Sequence, residues 1–531
     1  MRRSAVCAMR DVIIGIDAGT SVIKAVAFDL AGRQISSSSV PNSYLSGSDG
    51  SATQPLDRTW ADCTRALRGL GEQVTDLSRR TAAVAVTAQG DGTWLVDRDN
   101  RPVGDAWLWL DARAAPTVDV LAAKTENRAR FELTGTGLNT CQQGAQMAHM
   151  DRFFPELLDS ADVALHCKDW LYLNLTDVRA TDPSEANFTF GNFRTRGYED
   201  QVFDALGLGH RRHLLPEIIE GTQTLNPLTA TAAKQTGLLE GTPVCLGYVD
   251  MVMTALGAGV YGGTGDTACS IVGSTGVHMR ATNIAGVHLN AEGTGYVMAL
   301  PVPNTVVQAQ TNMAATLNLD WVLSLGTDLL REMGQEITPR DLMGRIEGWL
   351  EKSTPGQIAY HPYISEAGER GPFVNAQARA GFIGLSASHR YPDLVRAVVE
   401  GLGMAMRDCY AAMGGLPSEL RLSGGAARSR GLRAVLSAAI NAPVRVSDRE
   451  EAGAAGAAMM AAVAIGAYPD MNACVGEWVT PLLAAPETPN AELAATYDRL
   501  FPAFQSARHA LVPAWTRLAA ARDATLQRKK T

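Results

Sequence analysis

Two short segments, one near the start of the chain and one at its middle, constrain this 531-residue sequence more than anything else in it. Residues 11–35 read DVIIGIDAGTSVIKAVAFDLAGRQI, and residues 265–279 read GDTACSIVGSTGVHM. In each, an apolar strand ends in a turn made of glycine and hydroxyls and then resumes as a strand. The first turn carries Asp17, Gly19, Thr20 and Ser21, and the second carries Gly273, Ser274, Thr275 and Gly276. One polar hairpin used twice predicts a duplicated architecture, and the chain length suits two halves around a cleft.

Backbone N–H groups around a glycine turn can cradle an anion, because glycine allows close approach and successive amides form a positive concavity. Asp17 is placed to hold a magnesium ion through water. An ordinary hairpin turn with D-x-G chemistry is the alternative reading of the first segment taken alone. The formal charge of −8 speaks against binding a nucleic-acid backbone, which needs a basic footprint. A phosphate ligand must therefore be held by local dipoles and a cation. The composition, 46% hydrophobic and 19% charged, is neither that of a disordered chain nor that of a membrane protein. The eight cysteines include no C-x-x-C pair, which fits reduced thiols in a cytoplasmic protein. The opening MRRSAVCAMR has no apolar run of signal-peptide length behind it, and Met9 is a candidate start.

Further turns collect polar groups on the same sheet edge. TAAVAVTAQG is a strand running into AQGDGTWLVD, and RPVGDAWLWLDARAA again delivers a carboxylate from an apolar segment. GTPVCLGYVDMVMTALGAGV is a strand, a turn at Gly247 and a helix beginning beside Asp250. There a carboxylate can face a cleft and accept a proton, or it can simply cap the helix. LSGGAARS, residues 422–429, brings Gly424, Gly425, Ala426 and Ser429 to a strand end, where a purine could lie on bare backbone or where a tight strand-to-helix connection is all that is required. Two motifs are decoys. GAGVYG at 257–262 matches a dinucleotide fingerprint but follows a helix, and SVIK at 21–24 lacks the companions of a penicillin-binding site. From about Asn490 the chain becomes an amphipathic helical tail ending in RKKT, able to form an interface or to cover an apolar face.

Taken in order, these pieces resemble the FGGY carbohydrate kinases, which share the actin-like ATPase architecture. The resemblance runs over nearly the whole chain and rests on Asp17-Ala-Gly-Thr20 with Lys24, on Gly247-x-x-Asp250, on Gly424-Gly425-Ala426, and on AGFIGL at 380–385 followed by DLVRAVVEG at 393–401. The block KDWLYLNLTDVRATDPSEAN, 168–187, is similar to one these kinases carry before the cleft. The resemblance implies an α/β fold of two actin-like (ribonuclease H-like) ATPase domains around a central cleft. The expected divisions are residues 1–247, 248–485 and a helical tail, 486–531. It also implies ATP and Mg2+ as cofactors, held by Asp17, Gly19, Thr20, Ser21, Lys24, Gly273, Ser274, Thr275, Gly276, Gly424, Gly425, Ala426 and Ser429. Asp250 is then the general base that takes the proton of a substrate hydroxyl. A silent nucleotide-binding regulator would lack that base, and a chaperone-like or polyphosphate-cleaving ATPase would lack AGFIGL and the W-x-D-x-R pocket.

The substrate residues expected from the family pattern are Gln89, Asp91, Trp109, Asp111, Arg113 and Asp250. Ketopentose kinases commonly show Met-His-Gly where this chain has Gly90-Asp91-Gly92, and glycerol kinases show Arg-Glu-Thr. A carboxylate at Asp91 can accept hydrogen bonds from neighbouring hydroxyls of a neutral polyol and would repel an aldonate. Trp109, Asp111 and Arg113 match W-x-D-x-R, an indole wall with a second hydroxyl-binding carboxylate; a core tryptophan with a surface ion pair is the alternative. Met251 stands where relatives often carry Asn or Gln, and QMAHM at 146–150 replaces a K-x-x-W-like segment. The expectation is phosphorylation of a four-carbon polyol, erythritol to erythritol 4-phosphate, with a ketopentose or five-carbon polyol as the alternative. The expected setting is a cytoplasmic homodimer with a small-molecule partner and neither nucleic acid nor membrane.

Overall fold

The computed structural model describes residues 10–261 and 266–528. The candidate start at Met9, Cys7, the end of the GAGVYG decoy and the last residues of the tail lie outside that range. Twelve strands form the two large sheets. The first sheet comprises β1 (Val12–Ala18), β2 (Val22–Asp29), β3 (Gln34–Pro41), β4 (Thr81–Ala88), β5 (Leu225–Pro227) and β6 (Pro243–Leu246). The second comprises β7 (Thr267–Val272), β8 (Gly276–Asn283), β9 (Tyr296–Ala299), β10 (Thr305–Asn312), β11 (Glu419–Ser423) and β12 (Val444–Val446).

Their orders are β5-β6-β4-β1-β2-β3 and β9-β10-β8-β7-β11-β12. In each sheet a three-strand antiparallel run is extended by two parallel strands: β1 lies parallel to β4 and β4 to β6, as β7 does to β11 and β11 to β12. The two halves therefore share a five-strand core topology in which the β1–β2 and β7–β8 hairpins occupy equivalent places; the sixth strand differs, β5 pairing antiparallel beyond β6 in one sheet and β9 antiparallel beyond β10 in the other. β3 is the strand that hydrophobic periodicity misses, because QISSSSVP has exposed serines where an alternating apolar face would be sought.

The helices that position the site are α1 (Pro183–Phe190), α2 (Asp250–Gly257), α3 (Thr316–Glu332), α4 (Tyr391–Ala412), α5 (Arg430–Ile440), α6 (Ala452–Ala464) and α7 (Ala491–Arg528). α6 comes from late in the chain yet packs on β1, β4 and α2, so the two sheets share one continuous core between them. Its composition explains this. A Cβ at Gly15 would meet the carbonyl oxygen of Ala454 at 2.2 Å, and one at Gly456 would meet that of Met253 at 2.1 Å. Only glycine lets these backbones approach so closely.

α7 covers an apolar face of the second half, the second of the two roles open to the tail. Ala494, Tyr497 and Phe504 join the core around α4 and α5, and Trp515 stacks on Phe373 with ring centroids 6.1 Å apart. The seven cysteines within the described residues are all unpaired and buried. No helix among the described residues is long and apolar enough to cross a membrane.

Candidate active site in the cleft between the halves

The first hairpin turn is a braced loop. Gly19 N–H donates to Val22 O at 3.0 Å, and the Asn42 amide donates to Gly19 O at 3.0 Å. Thr20 Oγ1 donates to Gln89 Oε1 at 2.7 Å and accepts the Trp109 indole N–H at 2.9 Å. Gln89 passes the brace on by donating to Gln54 Oε1 at 3.0 Å. The buried Gln89 side chain is thus engaged with the loop through Thr20 and Gln54. Ser21 is exposed at the tip of the loop.

Lys24 departs from expectation. It sits opposite Asp17 in the hairpin register, and its Nζ bonds Glu451 Oε2 at 2.7 Å, just before α6, so it ties the halves together instead of pointing freely at a phosphate. Asp17 itself lies against α6. A Cβ at Gly453 would stand 2.5 Å from Asp17 Oδ2, so the glycine at the helix start makes room for that carboxylate. Burial raises the Asp17 pKa to about 6, with Lys24 opposing and Glu451 adding to the rise.

The second hairpin turn exposes Ser274 and Thr275, while Gly276 is buried in β8. α3 starts on this loop: Ala315 N–H donates to Ser274 O at 2.7 Å and Thr316 N–H to Gly273 O at 2.8 Å. Gly424, at φ 83, presses against the same loop, since a Cβ there would lie 2.7 Å from Val272 O and 3.1 Å from Gly273 N. Gly424 and Gly425 present exposed backbone beside it, and Ala426 is buried beneath. Ser429 has a partner of its own: its Oγ accepts Leu432 N–H at 3.3 Å, which makes it the N-cap of α5.

Asp250 opens α2 immediately after β6. Its Oδ1 accepts the N–H of Met251 at 2.7 Å. Burial first and the charge of Asp17 second raise its pKa to about 7, the Met251 N–H lowers it, and Asp91 adds a further push upward. Asp91 is the third carboxylate of the group. It adopts a left-handed φ of 59°, followed by Gly92 at 77°, so the turn lifts its side chain out of the strand direction. Asp91 Oδ1 is buried without a hydrogen-bond partner. Burial raises its pKa to about 6, tempered by the Cys141 thiol and by Arg370. Tyr296, beside Cys141 at 3.7 Å, closes that side.

The W-x-D-x-R segment is the reverse of a core tryptophan with a surface ion pair. Trp109 is 37% exposed, and the ion pair is buried. Asp111, at 0% exposure, accepts the Ala52 N–H at 2.9 Å and binds the Arg113 guanidinium through both oxygens. Arg113 in turn lies 3.4 Å over the Trp107 ring. Asp111 and Arg113 therefore hold the segment in place, and Trp109 stays exposed, fastened to Thr20. Gln146 of the QMAHM segment supports the same loops, accepting from Thr93 Oγ1 at 2.8 Å and donating to Leu108 O at 2.9 Å.

Two residues that motif reading missed belong to this site. Glu185 on α1 is fully buried with neither carboxyl oxygen hydrogen-bonded, and its Oε1 would lie 3.4 Å from a Cβ at Gly90. Burial holds its pKa well above the usual carboxylate range, with Lys168 opposing and Asp91 reinforcing the rise. The other is Gly453. Its signal in the sequence, a glycine opening an alanine-rich helix, is indistinguishable from ordinary close packing.

Residues 12–257 match the family model described as "FGGY family of carbohydrate kinases, N-terminal domain", and residues 261–465 match its C-terminal counterpart. The chain belongs to the FGGY family of carbohydrate kinases. It is 68% identical over 509 residues to the erythritol kinase of Brucella abortus (strain 2308), covering 96% of this chain and 98% of that one. It is 28% identical over 427 residues to the xylulose kinase of Escherichia coli (strain K12), covering 80% and 84% of the two chains. Among solved structures, the xylulose kinase from Rhodospirillum rubrum superposes with a TM-score of 0.85 at 23% identity, over 95% of this chain and 100% of that one. A gluconate kinase from Lactobacillus acidophilus gives 0.84 at 20%, over 96% and 99%. These two likenesses concern the fold. As an FGGY kinase with two actin-like halves, the protein is a phosphotransferase with an alcohol group as acceptor.

Proposed function

We propose that this FGGY kinase transfers the γ-phosphoryl group of ATP to a terminal hydroxyl of erythritol, giving erythritol 4-phosphate. The observation that carries the substrate assignment is the 68% identity to an erythritol kinase over 96% of the chain. The cleft chemistry agrees with it. Asp91 offers a buried, unpartnered oxygen to hydroxyls, and its charge disfavours an aldonate in the same place. The xylulose kinases stand at 24–28% identity, which leaves a ketopentose as the weaker alternative.

In the reaction, Asp250 receives the proton of the attacking hydroxyl through its free oxygen. The substrate oxygen bonds to the γ-phosphorus, the bond to the β-phosphate oxygen breaks, and ADP leaves. A pKa near 7 suits a base working at neutral pH. The Gly19–Ser21 and Gly273–Gly276 turns supply amides and hydroxyls to the phosphates, with Gly424 and Gly425 offering flat backbone to the adenosine. Asp17 fits a magnesium-holding role, being a carboxylate with raised pKa, packed on Gly453 and close in charge to Asp250 and Glu451. The described residues hold no cluster of three or more metal-binding side chains, so waters and phosphate oxygens would complete the shell. When bound, the ion neutralises phosphate charge.

The test is magnesium-dependent ADP release with erythritol, threitol, ribitol, xylitol, glycerol, xylulose, ribulose and gluconate. Selective turnover with erythritol, and a product phosphorylated at a terminal carbon, is the expected result. Turnover with a ketopentose alone refutes the polyol pocket and leaves the kinase assignment standing.

A further inference from the structure

Behind the cleft lies a chain of fully buried charged and polar groups that ends on the backbone of the catalytic segment. His166 N–H donates to Asp169 Oδ2 at 3.0 Å. Asp169 Oδ1 and Asp182 Oδ2 share the Lys168 ammonium, each at 2.6 Å. Asp182 Oδ1 accepts the Ser184 N–H at 2.7 Å and the Ser184 hydroxyl as well. Ser184 Oγ then accepts the N–H of Val249 at 3.0 Å.

Val249 is the residue before Asp250 and the N-cap of α2. A serine hydroxyl has a single proton, and here the Asp182 carboxylate takes it, so a lone pair must face Val249. Lys168, between two carboxylates, fixes the Asp182 side chain in place. Buried ion pairs bring little net stability, because desolvation offsets their attraction, so an ionic chain at this place calls for another account. Its geometry supplies one: it sets where α2 begins, and thereby the direction in which the Asp250 side chain leaves the backbone.

We propose that Ser184 is a positioning residue for phosphoryl transfer, its hydroxyl anchoring Val249 so that Asp250 meets the substrate hydroxyl. The proposal rests on Asp250 being the base. Ser184→Ala leaves the Val249 N–H without its acceptor while Asp182 still caps α1. A small misplacement of a reacting group costs up to about 100-fold in rate.

The experiment measures kcat, KM for erythritol, KM for MgATP, thermal midpoint and the kcat–pH profile for Ser184→Ala, Ser184→Thr, Asp250→Asn and Thr229→Ala. Thr229 caps a helix away from the cleft by accepting Ala232 N–H at 3.1 Å, so its loss is a control for destabilisation alone. The expected result is a roughly 10- to 100-fold fall in kcat for Ser184→Ala with KM for MgATP within about twofold. The acid limb of its kcat–pH profile shifts upward as Asp250 loses its hold on the Met251 N–H, Ser184→Thr recovers most of the rate, and Thr229→Ala keeps its kcat. If Ser184→Ala does not accumulate as folded protein, Ser184→Cys is measured against the same criteria. A Ser184→Ala enzyme within about twofold of the parent kcat, beside an inactive Asp250→Asn, overturns the proposal alone; an active Asp250→Asn overturns the base assignment on which it rests.

Discussion

Replacing Asp250 by Asn tests whether the cleft holds its base at an energetic cost. A carboxyl raised from 3.8 to about 7 weakens the folded state by about 4 kcal/mol once it is ionised, at ~1.36 kcal/mol per pH unit. Asp250 keeps some contact with solvent, so screening brings the expected gain from removing it to roughly 2 kcal/mol. The sign follows from the raised pKa. The carboxyl adds nothing unfavourable below the unfolded value near 4, and its destabilisation grows as pH rises and is complete above about 7. Asp250→Asn should therefore unfold about 2–4 °C above the parent at pH 8, with about half that gain at pH 5.5, given how the midpoint scales with chain size. Differential scanning calorimetry at the two pH values reads this directly, and single-turnover phosphoryl transfer on the same samples should fall at least about 1000-fold. A variant that unfolds at or below the parent temperature at pH 8 refutes the claim that burial raises this carboxyl.

Three further outcomes are expected. Asp91→Asn should raise KM for erythritol more than about tenfold and leave KM for MgATP unchanged, as steady-state kinetics would show, if its unpartnered oxygen takes the acceptor hydroxyls as proposed. Gly453→Ala should abolish turnover while ADP binding by calorimetry persists, since its methyl would stand 2.5 Å from Asp17 Oδ2 and displace that carboxylate. With Asp250 titrating at about 7, log kcat/KM for the parent should climb with unit slope between pH 5.5 and 6.5 and flatten above about 7.5.

Both phosphate turns, the Asp250 turn and the helical tail were legible because each couples an apolar run to an abrupt change of residue type. β3 was not, as QISSSSVP carries sheet hydrogen bonds without an apolar face. The substrate segment misled for a related reason. A sequence pattern gives Asp111 and Arg113 the right types for hydroxyl binding, but only the fold reveals that they bind each other at 2.6 Å beneath Trp107. Ser429, Gln89 and Lys24 carry groups that suit a ligand, and the structure gives each a partner within the protein. Glu185 escaped because a glutamate among the serine, asparagine and threonine of PSEANFTF carries no pattern of its own, and its burial depends on α1 lying behind Gly90.

The duplicated frame is used asymmetrically, and that asymmetry is where the chemistry enters. One residue before its end, β1 carries Asp17 opposite Lys24, whereas β7 carries Ile271 opposite Val277. Both hairpins thus end in glycine and hydroxyl turns, but only the first brings a carboxylate. Asp17 also lies on the side of Asp250, since its charge is the second cause of the rise in the Asp250 pKa. A second carboxylate at Ile271, paired in register with Ser423 at the end of β11, would stand beside the Gly424–Gly425 turn proposed to carry the adenosine. Ile271→Asp should accordingly weaken ATP by electrostatic repulsion, without improving magnesium affinity, and titration of nucleotide with and without the metal would distinguish this from a symmetric pair of cation sites.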